Sequence, residues 1–321
     1  MSAKPSVAVL MGGISSERAV SLSSGEGVLS ALREAGYAAR GIDPTTDLGA
    51  LVADLDRDRP DVVFNALHGR FGEDGAIQGV LDWMGIRYTH SGIRASAVAM
   101  DKDAARAAFA AAGLPIARGR VVEIARFADA DPLPCPYVIK PLNEGSSVGV
   151  DIVHAGSNRR AEIVSAWHYG PTALVEEFIP GREITVGVLG GEAGDIGALT
   201  VTDITPNPAI AHGFYDYEAK YAAGGSRHVL PAEIHADAFA EAMRLALSAH
   251  RALGCRGASR ADFRYDDTVH GNARPGRLVL LEVNTQPGLT PTSLLPEQAA
   301  FRGIGFSELC AWMVENAACR V

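Results

Sequence analysis

This 321-residue sequence predicts an α/β fold that comprises more than one domain. The length suits two or three domains, each around its own hydrophobic core. The first hundred residues alternate short apolar runs with helical patterns, an order typical of a parallel sheet covered by helices. Farther along the chain, short strands and single helices follow one another in an α+β arrangement.

Composition narrows the class of protein. Hydrophobic residues make up 47% of the chain and charged residues 21%, the balance of a globular protein. No apolar run could cross a bilayer, and residues 1–5 do not begin a secretory signal, so we expect a cytoplasmic protein without a membrane partner. The four cysteines have no C-x-x-C spacing and are expected to be reduced thiols. A net charge of −9 argues against nucleic acid as a partner.

Lysine is rare in this chain. Lys and Arg total 29, yet the only lysines are Lys4, Lys102, Lys140 and Lys220. A lysine is a compact point charge that suits phosphate oxygens, so the three outside the N-terminal tail are candidates for phosphate contacts. Chance retention is the alternative, and it fits Lys4.

The first two predicted strands each end near a polar side chain. Residues 6–11 are predicted as a buried strand, followed by a helix from residue 15 or 16 towards residue 35. Residues 61–67 are predicted as a second strand, followed by a glycine-rich loop and a helix over residues 75–84. Glu17 and His68 lie just beyond these strands, where α/β folds bind ligands. A helix cap or a surface side chain is the alternative.

The pattern changes near residue 100, where two further units are predicted. The first has a helix at 101–112, strands at 118–122, 136–141 and 148–153, a helix at 160–167 and a strand at 173–178. The second has strands at 183–189, 258–265 and 278–284, a long helix at 235–253 and a C-terminal helix from 307. The expected domains are therefore residues 1–97, 98–178 and 179–321.

A glycine-rich loop follows the predicted strand at residues 136–141. Its sequence, KPLNEGSSVG, begins at Lys140 and supplies backbone N–H groups around Ser146 and Ser147 that can wrap an anion. It is neither a Walker A loop nor a dinucleotide fingerprint. A flap over nucleotide phosphates is the functional interpretation, and an ordinary hairpin turn is the alternative.

The two last predicted strands carry polar side chains on one face. Arg260 and Asp262 are two residues apart, as are Glu282 and Asn284, so each pair faces one side of its strand. If the strands are neighbours, Asp262, Glu282 and Asn284 form an oxygen-only cluster suited to Mg²⁺. A structural ion pair between Arg260 and the acids is an equally good interpretation of these residues alone.

Two further segments gain meaning beside these. Residues 175–179 (VEEFI), with Glu183 beyond them, could offer backbone groups to an adenine and a carboxylate to a ribose, although a solvated interdomain linker explains them as well. Residues 214–221 (FYDYEAKY) are unusually aromatic for a connection, and such loops are often lids. Lys220 could then reach a terminal phosphate; the alternative is that the aromatics pin the loop to the core.

Together these segments resemble the D-alanine–D-alanine ligases, members of the ATP-grasp superfamily. The resemblance covers nearly the whole chain, through GGISSERAVSLSSG, LHGRFGEDGAIQG, MDK, VIKPLNEGSSVGV, VEEFIPGREITVGVLG, FYDYEAKY, SRADF and LLEVNTQPGLTPTSLLP. It implies an ATP-grasp fold and the Mg-ATP-dependent ligation of two D-alanines through an acyl phosphate, for peptidoglycan synthesis. It also implies a homodimer.

The resemblance implies a role for each matched residue. Phosphate contacts are implied for Lys102, Lys140, Ser147 and Lys220. The adenosine pocket would comprise Glu176, Glu177, Ile179 and Glu183. Two Mg²⁺ ions, with Mn²⁺ as an alternative, would be held by Asp262, Glu282 and Asn284.

The substrate and catalytic roles are likewise implied by the resemblance. Glu17 would bind the ammonium of the first D-alanine, with His68 nearby, and Ser293 and Leu294 the carboxylate of the second. Arg260 and the Gly288 N–H would stabilise the oxyanion. Glu17, Ser146 and Tyr221 would form a hydrogen-bonded set that ties the N-terminal domain to the flap and the lid.

The chain departs from the family pattern at a few positions. Phe71 stands where many relatives have glycine, Gln286 replaces a small or apolar residue, and Leu289 replaces methionine. Glu177 stands at a position that is often lysine, which leaves only its backbone as the expected nucleotide contact.

Three rival functions follow from the same residues. A ligase with D-lactate or D-serine as its second substrate is the nearest rival, and Tyr221 favours D-alanine because depsipeptide-forming relatives have Phe or a different lid. A non-catalytic nucleotide-binding protein would be expected to have lost a metal ligand or the oxyanion arginine. A Rossmann dehydrogenase would need the dinucleotide fingerprint, which is absent.

Overall fold

A parallel sheet forms the N-terminal part of the protein, as expected. The computed structural model describes residues 4–145, 147–190, 196–209 and 224–319. Strands β1 (Val7–Leu10), β2 (Ala39–Ile42), β3 (Val62–Asn65) and β4 (Arg87–Tyr88) pair in the order β2-β1-β3-β4, all parallel. The strand order reverses between β1 and β3, so the loops after these two strands flank the crevice where open α/β sheets bind ligands.

Helices cover both faces of this sheet. They are α1 (Arg18–Glu34), α2 (Leu48–Arg57) and α3 (Ala76–Met84). The next helix, α4 (Ile93–Met100), packs instead against the core of the large C-terminal sheet. The helix α1 begins at Arg18, two or three residues later than the sequence pattern suggests, and Glu17 occupies its N-cap position. The strand β2 and the helix α2, which no sequence prediction covered, complete the alternation of strands and helices.

A small antiparallel sheet follows. Helix α5 (Lys102–Ala111) leads into β5 (Gly119–Glu123), α6 (Ile124–Phe127), β6 (Tyr137–Lys140), β7 (Asp151–Val153), α7 (Arg159–Ala166) and β8 (Thr172–Glu177). The four strands pair in the order β5-β8-β6-β7. The predicted strands and helices of this unit are confirmed to within three residues at each end.

A larger antiparallel sheet forms the remainder of the protein. It comprises β9 (Arg182–Gly190), β10 (Ile196–Pro206), β11 (Ser226–Val229), β12 (Gly257–Asp266) and β13 (Arg277–Asn284), in the order β11-β10-β9-β12-β13. Helix α8 (Ala236–Leu253) lies against it, and its alanine-rich face shares a core with Phe109 of α5. The strands β12 and β13 are neighbours, which was the condition for the proposed acidic cluster.

The last two helices return to the N-terminal sheet. Helices α9 (Leu294–Phe301) and α10 (Phe306–Glu315) share a core with α1 and β3, through Leu295, Leu309 and Met313 among others. The two ends of the chain are therefore packed together, which brings the loops after β1, β3 and β13 to one place. None of the helices within the described ranges is long and apolar enough to span a membrane. The domain boundaries at residues 97 and 178 stay a prediction.

Candidate active site

Two adjoining pockets lie where the three sheets meet. The first, here called the substrate pocket, is lined by the N-terminal loops, the end of β13 and the start of α9. The second, the nucleotide pocket, is enclosed between the small and the large antiparallel sheets. Lys102, Glu144 and Glu282 line both pockets. A group held in one pocket can therefore reach a group held in the other.

The structure brings the predicted residues together into these two pockets. The substrate pocket is lined by Glu17, His68, Lys102, Arg260, Glu282, Asn284, Gly288, Ser293 and Leu294. The nucleotide pocket is lined by Lys102, Lys140, Ser147, Glu176, Glu177, Ile179, Glu183, Asp262 and Glu282. The predicted residues Ser146, Lys220 and Tyr221 lie outside the described residues, as does most of the predicted lid.

Glu17 is held at the beginning of α1 by the loop before it. Its backbone N–H donates to the Ser15 hydroxyl (3.2 Å), and that hydroxyl donates to the His68 carbonyl (2.6 Å). A Cβ atom added at Gly69 or at Gly145 would lie 3.2 Å from Glu17 Oε1. The Glu17 carboxylate therefore lies between the His68 loop and the glycine-rich flap, and both approach it through glycines.

His68 is buried and oriented by two side chains. Its Nδ1 lies 2.9 Å from Glu73 Oε1 and its Nε2 3.3 Å from Ser24 Oγ. Glu73 Oε1 also accepts the Gly69 N–H (3.0 Å), which ties the carboxylate to the same loop. Glu73 lines the substrate pocket and was missed from the sequence, where it looks like any charged loop residue.

Gln286 joins the N-terminal sheet to the end of β13. Its side chain is buried, accepts from Asn65 Nδ2 (2.8 Å) and donates to the Leu67 carbonyl. Its backbone N–H donates to Asn284 Oδ1 (2.8 Å). The departure from the family pattern at this position thus has a structural role, because it holds the loop of His68 against the strand of Glu282. We call these contacts the seam.

The start of α9 offers backbone donors to the substrate pocket. Ser293 is the N-cap residue, but its hydroxyl makes no capping bond; it accepts from the Thr290 N–H (2.9 Å). The first N–H groups of a helix need a partner and attract anions. Gly288 is close to the same hydroxyl, since an added Cβ would lie 2.8 Å from Ser293 Oγ. This end of the pocket is suited to a carboxylate.

The acidic residues of β12 and β13 face each other. Asp262 is paired in register with Glu282, and Arg260 with Asn284. Arg260 donates two hydrogen bonds to Asp262, of 2.8 and 2.7 Å, and the Thr185 hydroxyl donates a third of 2.5 Å. The ion pair that was the alternative interpretation is therefore present, and the same Arg260 lines the substrate pocket.

Glu282 differs from Asp262 in its contacts. In the part of the chain that the structure describes, no cation or hydrogen-bond donor contacts its half-buried carboxylate. Like charges directly opposite each other in a sheet repel. Among the same residues, no three His, Cys, Asp or Glu side chains are arranged to hold a metal, so an ion here would need Asn284 or oxygens of a ligand as well. The donor set is nonetheless oxygen only, which fits Mg²⁺.

The lysines of the nucleotide pocket are held by acceptors of the protein. The Lys102 ammonium donates to the Glu144 carbonyl, and the Lys140 ammonium forms an ion pair with Glu176. Ser147 adopts a left-handed backbone conformation, φ 59°, in the turn of the flap. Non-glycine residues rarely adopt this conformation, and it is often found in loops that aim their N–H groups at a ligand.

The segment after β8 closes the nucleotide pocket. Glu177 pairs with Arg277 (2.8 Å) and Arg118 (3.3 Å). Burial raises the pKa of Glu177, but the hydrogen bond from Arg277 and its other contacts lower the pKa by more. The Ile179 carbonyl accepts a hydrogen bond from Arg264 Nε (3.0 Å). The Nη1 atom of the same arginine lies 3.7 Å from Glu183 Oε2. Phe71 lines neither pocket; it is half exposed at a φ of 67°, beneath Arg70.

Comparisons with known proteins show which family the chain resembles. Residues 110–315 match the family described as D-ala D-ala ligase C-terminus, and residues 47–91 match D-ala D-ala ligase N-terminus. The chain is 67% identical to a D-alanine–D-alanine ligase of Granulibacter bethesdensis, over 98% of both chains. It is 64% identical to one of Acidiphilium cryptum, over 98% of this chain and 99% of the relative.

A solved structure is similar over the whole length. It is the D-alanine–D-alanine ligase of Bacillus anthracis complexed with ATP, with a TM-score of 0.78 and 26% identity. The alignment covers 98% of this chain and 97% of the other.

Proposed function

This chain belongs to the D-alanine–D-alanine ligase family, and from that premise we propose that its substrate pocket takes two D-alanines and its nucleotide pocket takes ATP. The fold is ATP-grasp, and the activity is the ATP-dependent joining of D-alanine to D-alanine. One observation carries the assignment of the pockets. They meet at Lys102, Glu144 and Glu282, so the terminal phosphate of ATP and the carboxylate of a substrate would lie side by side.

The first half of the reaction activates a carboxylate. Glu17 would accept the ammonium of the first D-alanine, and His68, held by Glu73 and Ser24, would lie beside it. The substrate carboxylate oxygen then attacks the terminal phosphorus of ATP, the bond to ADP breaks, and an acyl phosphate forms. Lys102 and Lys140 would neutralise the phosphate oxygens.

A magnesium site supports this half-reaction. Asp262 and Glu282 face each other, and the Glu282 carboxylate has no cationic partner among the described residues. We assign the metal to Asp262, Glu282 and Asn284 together with phosphate oxygens. When bound, Mg²⁺ supplies charge neutralisation and in-line orientation of the transferring phosphoryl group.

The second half forms the peptide bond. The carboxylate of the second D-alanine would bind at the N-terminus of α9, beside Ser293 and Leu294. Its free amine attacks the acyl carbon, the C–N bond forms, the bond between the acyl carbon and the bridging phosphate oxygen breaks, and phosphate leaves with the proton that the amine gives up. Arg260 and the Gly288 N–H would stabilise the oxyanion of the tetrahedral intermediate, an interaction worth about 3 kcal/mol per donor.

Three further elements belong to the proposal. Ser146, Lys220 and Tyr221, which lie outside the described residues, would close the flap and lid over the acyl phosphate and exclude water. A homodimer is proposed from the family resemblance, and analytical ultracentrifugation would test it. A cytoplasmic location fits a reaction that consumes ATP.

Phosphate release from Mg-ATP tests the function directly. Purified protein is incubated with D-alanine, L-alanine, D-serine or D-lactate one at a time, and the products are identified by mass spectrometry. We expect release only in the presence of D-alanine, with one phosphate per dipeptide. Release that ignores D-alanine would exclude the proposal, and ATP binding without release would indicate the non-catalytic alternative.

A further inference from the structure

The nucleotide pocket has more acids than bases on its wall. Among the described residues, six carboxylates line it: Glu144, Glu176, Glu177, Glu183, Asp262 and Glu282. The cationic side chains that line it are Lys102, Lys140 and Arg264. A polyanionic triphosphate would be repelled by this wall unless acids of the wall were paired with further cations.

Arginines provide part of that neutralisation. Glu177 is paired with Arg118 and Arg277, Glu183 with Arg264, and Asp262 with Arg260. Together with the pair of Arg106 and Glu176, these pairs neutralise four of the six carboxylates and leave Glu144 and Glu282 without an arginine partner among the described residues. The arginine-rich composition of the chain thus has a local use, since guanidinium groups are permanently charged and pair with carboxylates in a fixed geometry.

The least exposed of the acid–arginine pairs of this pocket is that of Glu176 with Arg106, and it adjoins Lys140. Glu176 uses its two carboxylate oxygens separately, Oε1 for Arg106 Nη1 and Oε2 for the Lys140 ammonium. The side chains of Arg106 and Lys140 are each 12% exposed and that of Glu176 is 7% exposed. Arg106 also donates from Nη2 to the Ala117 carbonyl (2.9 Å). Arg106 does not line the pocket, so it can act on a ligand only through Glu176 and Lys140.

Gly119, which is paired with Glu176 across the neighbouring strands β5 and β8, leaves room for the Arg106–Glu176 pair. A Cβ added at Gly119 would lie 2.7 Å from Glu176 Cγ, 2.7 Å from the Val175 carbonyl and 3.2 Å from Arg106 Nη2. Any side chain at position 119 would therefore displace the Arg106–Glu176 pair.

We propose that Arg106 is a positioning residue for ATP, because it occupies one oxygen of Glu176 and so leaves the charge of Lys140 available to the nucleotide phosphates. This inference rests on the proposed function of the nucleotide pocket. Arg106, Glu176 and Lys140 together carry a net charge of +1; without Arg106 the remaining pair is neutral. The chemical class that senses this difference is a nucleoside triphosphate, not the amino-acid substrate.

Kinetics of the Arg106→Met variant test the proposal. Methionine keeps most of the side-chain length and removes the charge. We expect the KM for ATP to rise about ten-fold, the scale of one charge acting across a partly buried site. The KM for D-alanine should change less than two-fold and kcat less than about three-fold. Arg106→Lys, which keeps the charge beside Glu176, should restore the KM for ATP to within about three-fold of the wild-type value.

A double variant separates this role from a structural one. Arg106→Met combined with Glu176→Gln has a net charge of +1 again, so it should bind ATP more tightly than Arg106→Met alone. The control is Arg126→Met, which removes an exposed arginine of the same sheet region, paired with Glu123 at 3.4 Å. It makes the same change in total charge and should leave the KM for ATP unchanged.

Calorimetric titration of ATP into each variant gives the same comparison without turnover. If wild-type protein binds ATP but releases no phosphate with D-alanine, the proposed function fails while the titration still tests Arg106. An unchanged ATP affinity in Arg106→Met, an equal loss in Arg126→Met, or a double variant no better than the single one would each overturn the proposal. A lower melting temperature with unchanged ATP affinity would assign Arg106 a structural role only.

Discussion

The nucleotide pocket and the substrate pocket share a wall, yet different interactions hold them together. Four of the six acids of the nucleotide pocket, Glu176, Glu177, Glu183 and Asp262, are paired with guanidinium groups, all from residues between α5 and β13. The substrate pocket depends on hydrogen bonds across the seam, such as that between Asn65 and Gln286, 221 residues apart. It also contains the pair of His68 with Glu73.

This difference separates the two steps that the site must perform. A pocket built of ion pairs within one part of the chain keeps its shape whatever the N-terminal sheet does. A pocket built across the seam is complete only when that sheet is docked against β13 and α9. We therefore expect changes at the seam to alter D-alanine binding and changes in the ion pairs to alter ATP binding.

The largest expected effect is at the wall that the two pockets share. Glu282→Gln removes one charge and keeps the shape, so we expect turnover to fall by about 10³-fold or more, because phosphoryl transfer depends on the metal. The melting temperature should change little, since Glu282 has no ion-pair partner among the described residues to lose. Phosphate release and thermal unfolding are measured side by side.

The control for this prediction is Glu123→Gln, which changes an exposed glutamate of β5. It should keep full activity. A fully active Glu282→Gln variant would refute the metal assignment, and equal losses in both variants would point to a general effect of charge.

Gln286→Leu is expected to affect the substrate pocket alone. The change leaves the Leu67 carbonyl without its donor and Asn65 Nδ2 with only the Gly72 carbonyl, at 2.9 Å. Unpaired buried polar groups cost about 1–3 kcal/mol each. We expect the KM for D-alanine to rise about ten-fold, as one such loss would produce, with the KM for ATP unchanged.

Gln78→Leu is the matched control. Gln78 is also buried and its Nε2 donates to the Gly72 carbonyl (2.8 Å), so this bond joins α3 to the loop before it and does not cross the seam. It should lower the melting temperature to a similar extent with a smaller change in the KM for D-alanine. A Gln286→Leu variant that loses ATP and D-alanine affinity equally would contradict the division between the pockets.

The stability of the folded protein should also respond to acid. His90 is buried with its ring centroid 6.0 Å from that of Phe64, its carbonyl accepts from Arg256 Nε (2.9 Å), and neither ring nitrogen has a partner among the described residues. Burial lowers its pKa from 6.5 to about 3. Between these two pH values the unfolded chain binds a proton at His90 that the folded protein does not bind. The contribution of His90 to the free energy of unfolding is therefore fully present above pH 6.5 and is lost as the pH falls towards 3.

Each such histidine should contribute a slope of about 1.4 kcal/mol per pH unit to the free energy of unfolding over this range. His250, whose pKa burial lowers to about 4, contributes a second slope. The backbone of His90 has a φ of 68°, a conformation that asparagine tolerates. The His90→Asn variant should therefore lose one of these two slopes. Denaturant unfolding from pH 4.5 to 6 measures the slope, with the exposed His154→Asn as control. An unchanged slope in His90→Asn would show that His90 does not carry this linkage.

The sequence pattern predicted most of the fold because its strongest signals are local. Alternating polar positions in β13 and the apolar run of β3 each follow from a few adjacent residues. The roles that were missed are those that depend on distant partners. Arg106 looks like any helix arginine until β8 places Glu176 beside it, and Gln286 looks like a loop residue until Asn65 arrives from the N-terminal sheet. Burial and pairing at long range have no signature in a single segment.

The smallest expected effect concerns the choice between D-alanine and D-lactate as the second substrate. We identify no described residue of either pocket that distinguishes an amine from a hydroxyl. Ser293 and the start of α9 would bind a carboxylate equally well in D-alanine and in D-lactate. The remaining candidate is the Tyr221 hydroxyl, which the family resemblance links to Glu17 and Ser146. We expect Tyr221→Phe to let D-lactate compete, so that the ratio of depsipeptide to dipeptide rises several-fold in an equal mixture of acceptors. Mass spectrometry of the products gives that ratio. The control is Phe301→Leu, which changes a half-exposed aromatic residue at the end of α9 that lines neither pocket. An unchanged ratio would remove Tyr221 from the mechanism and return selectivity to the pocket itself.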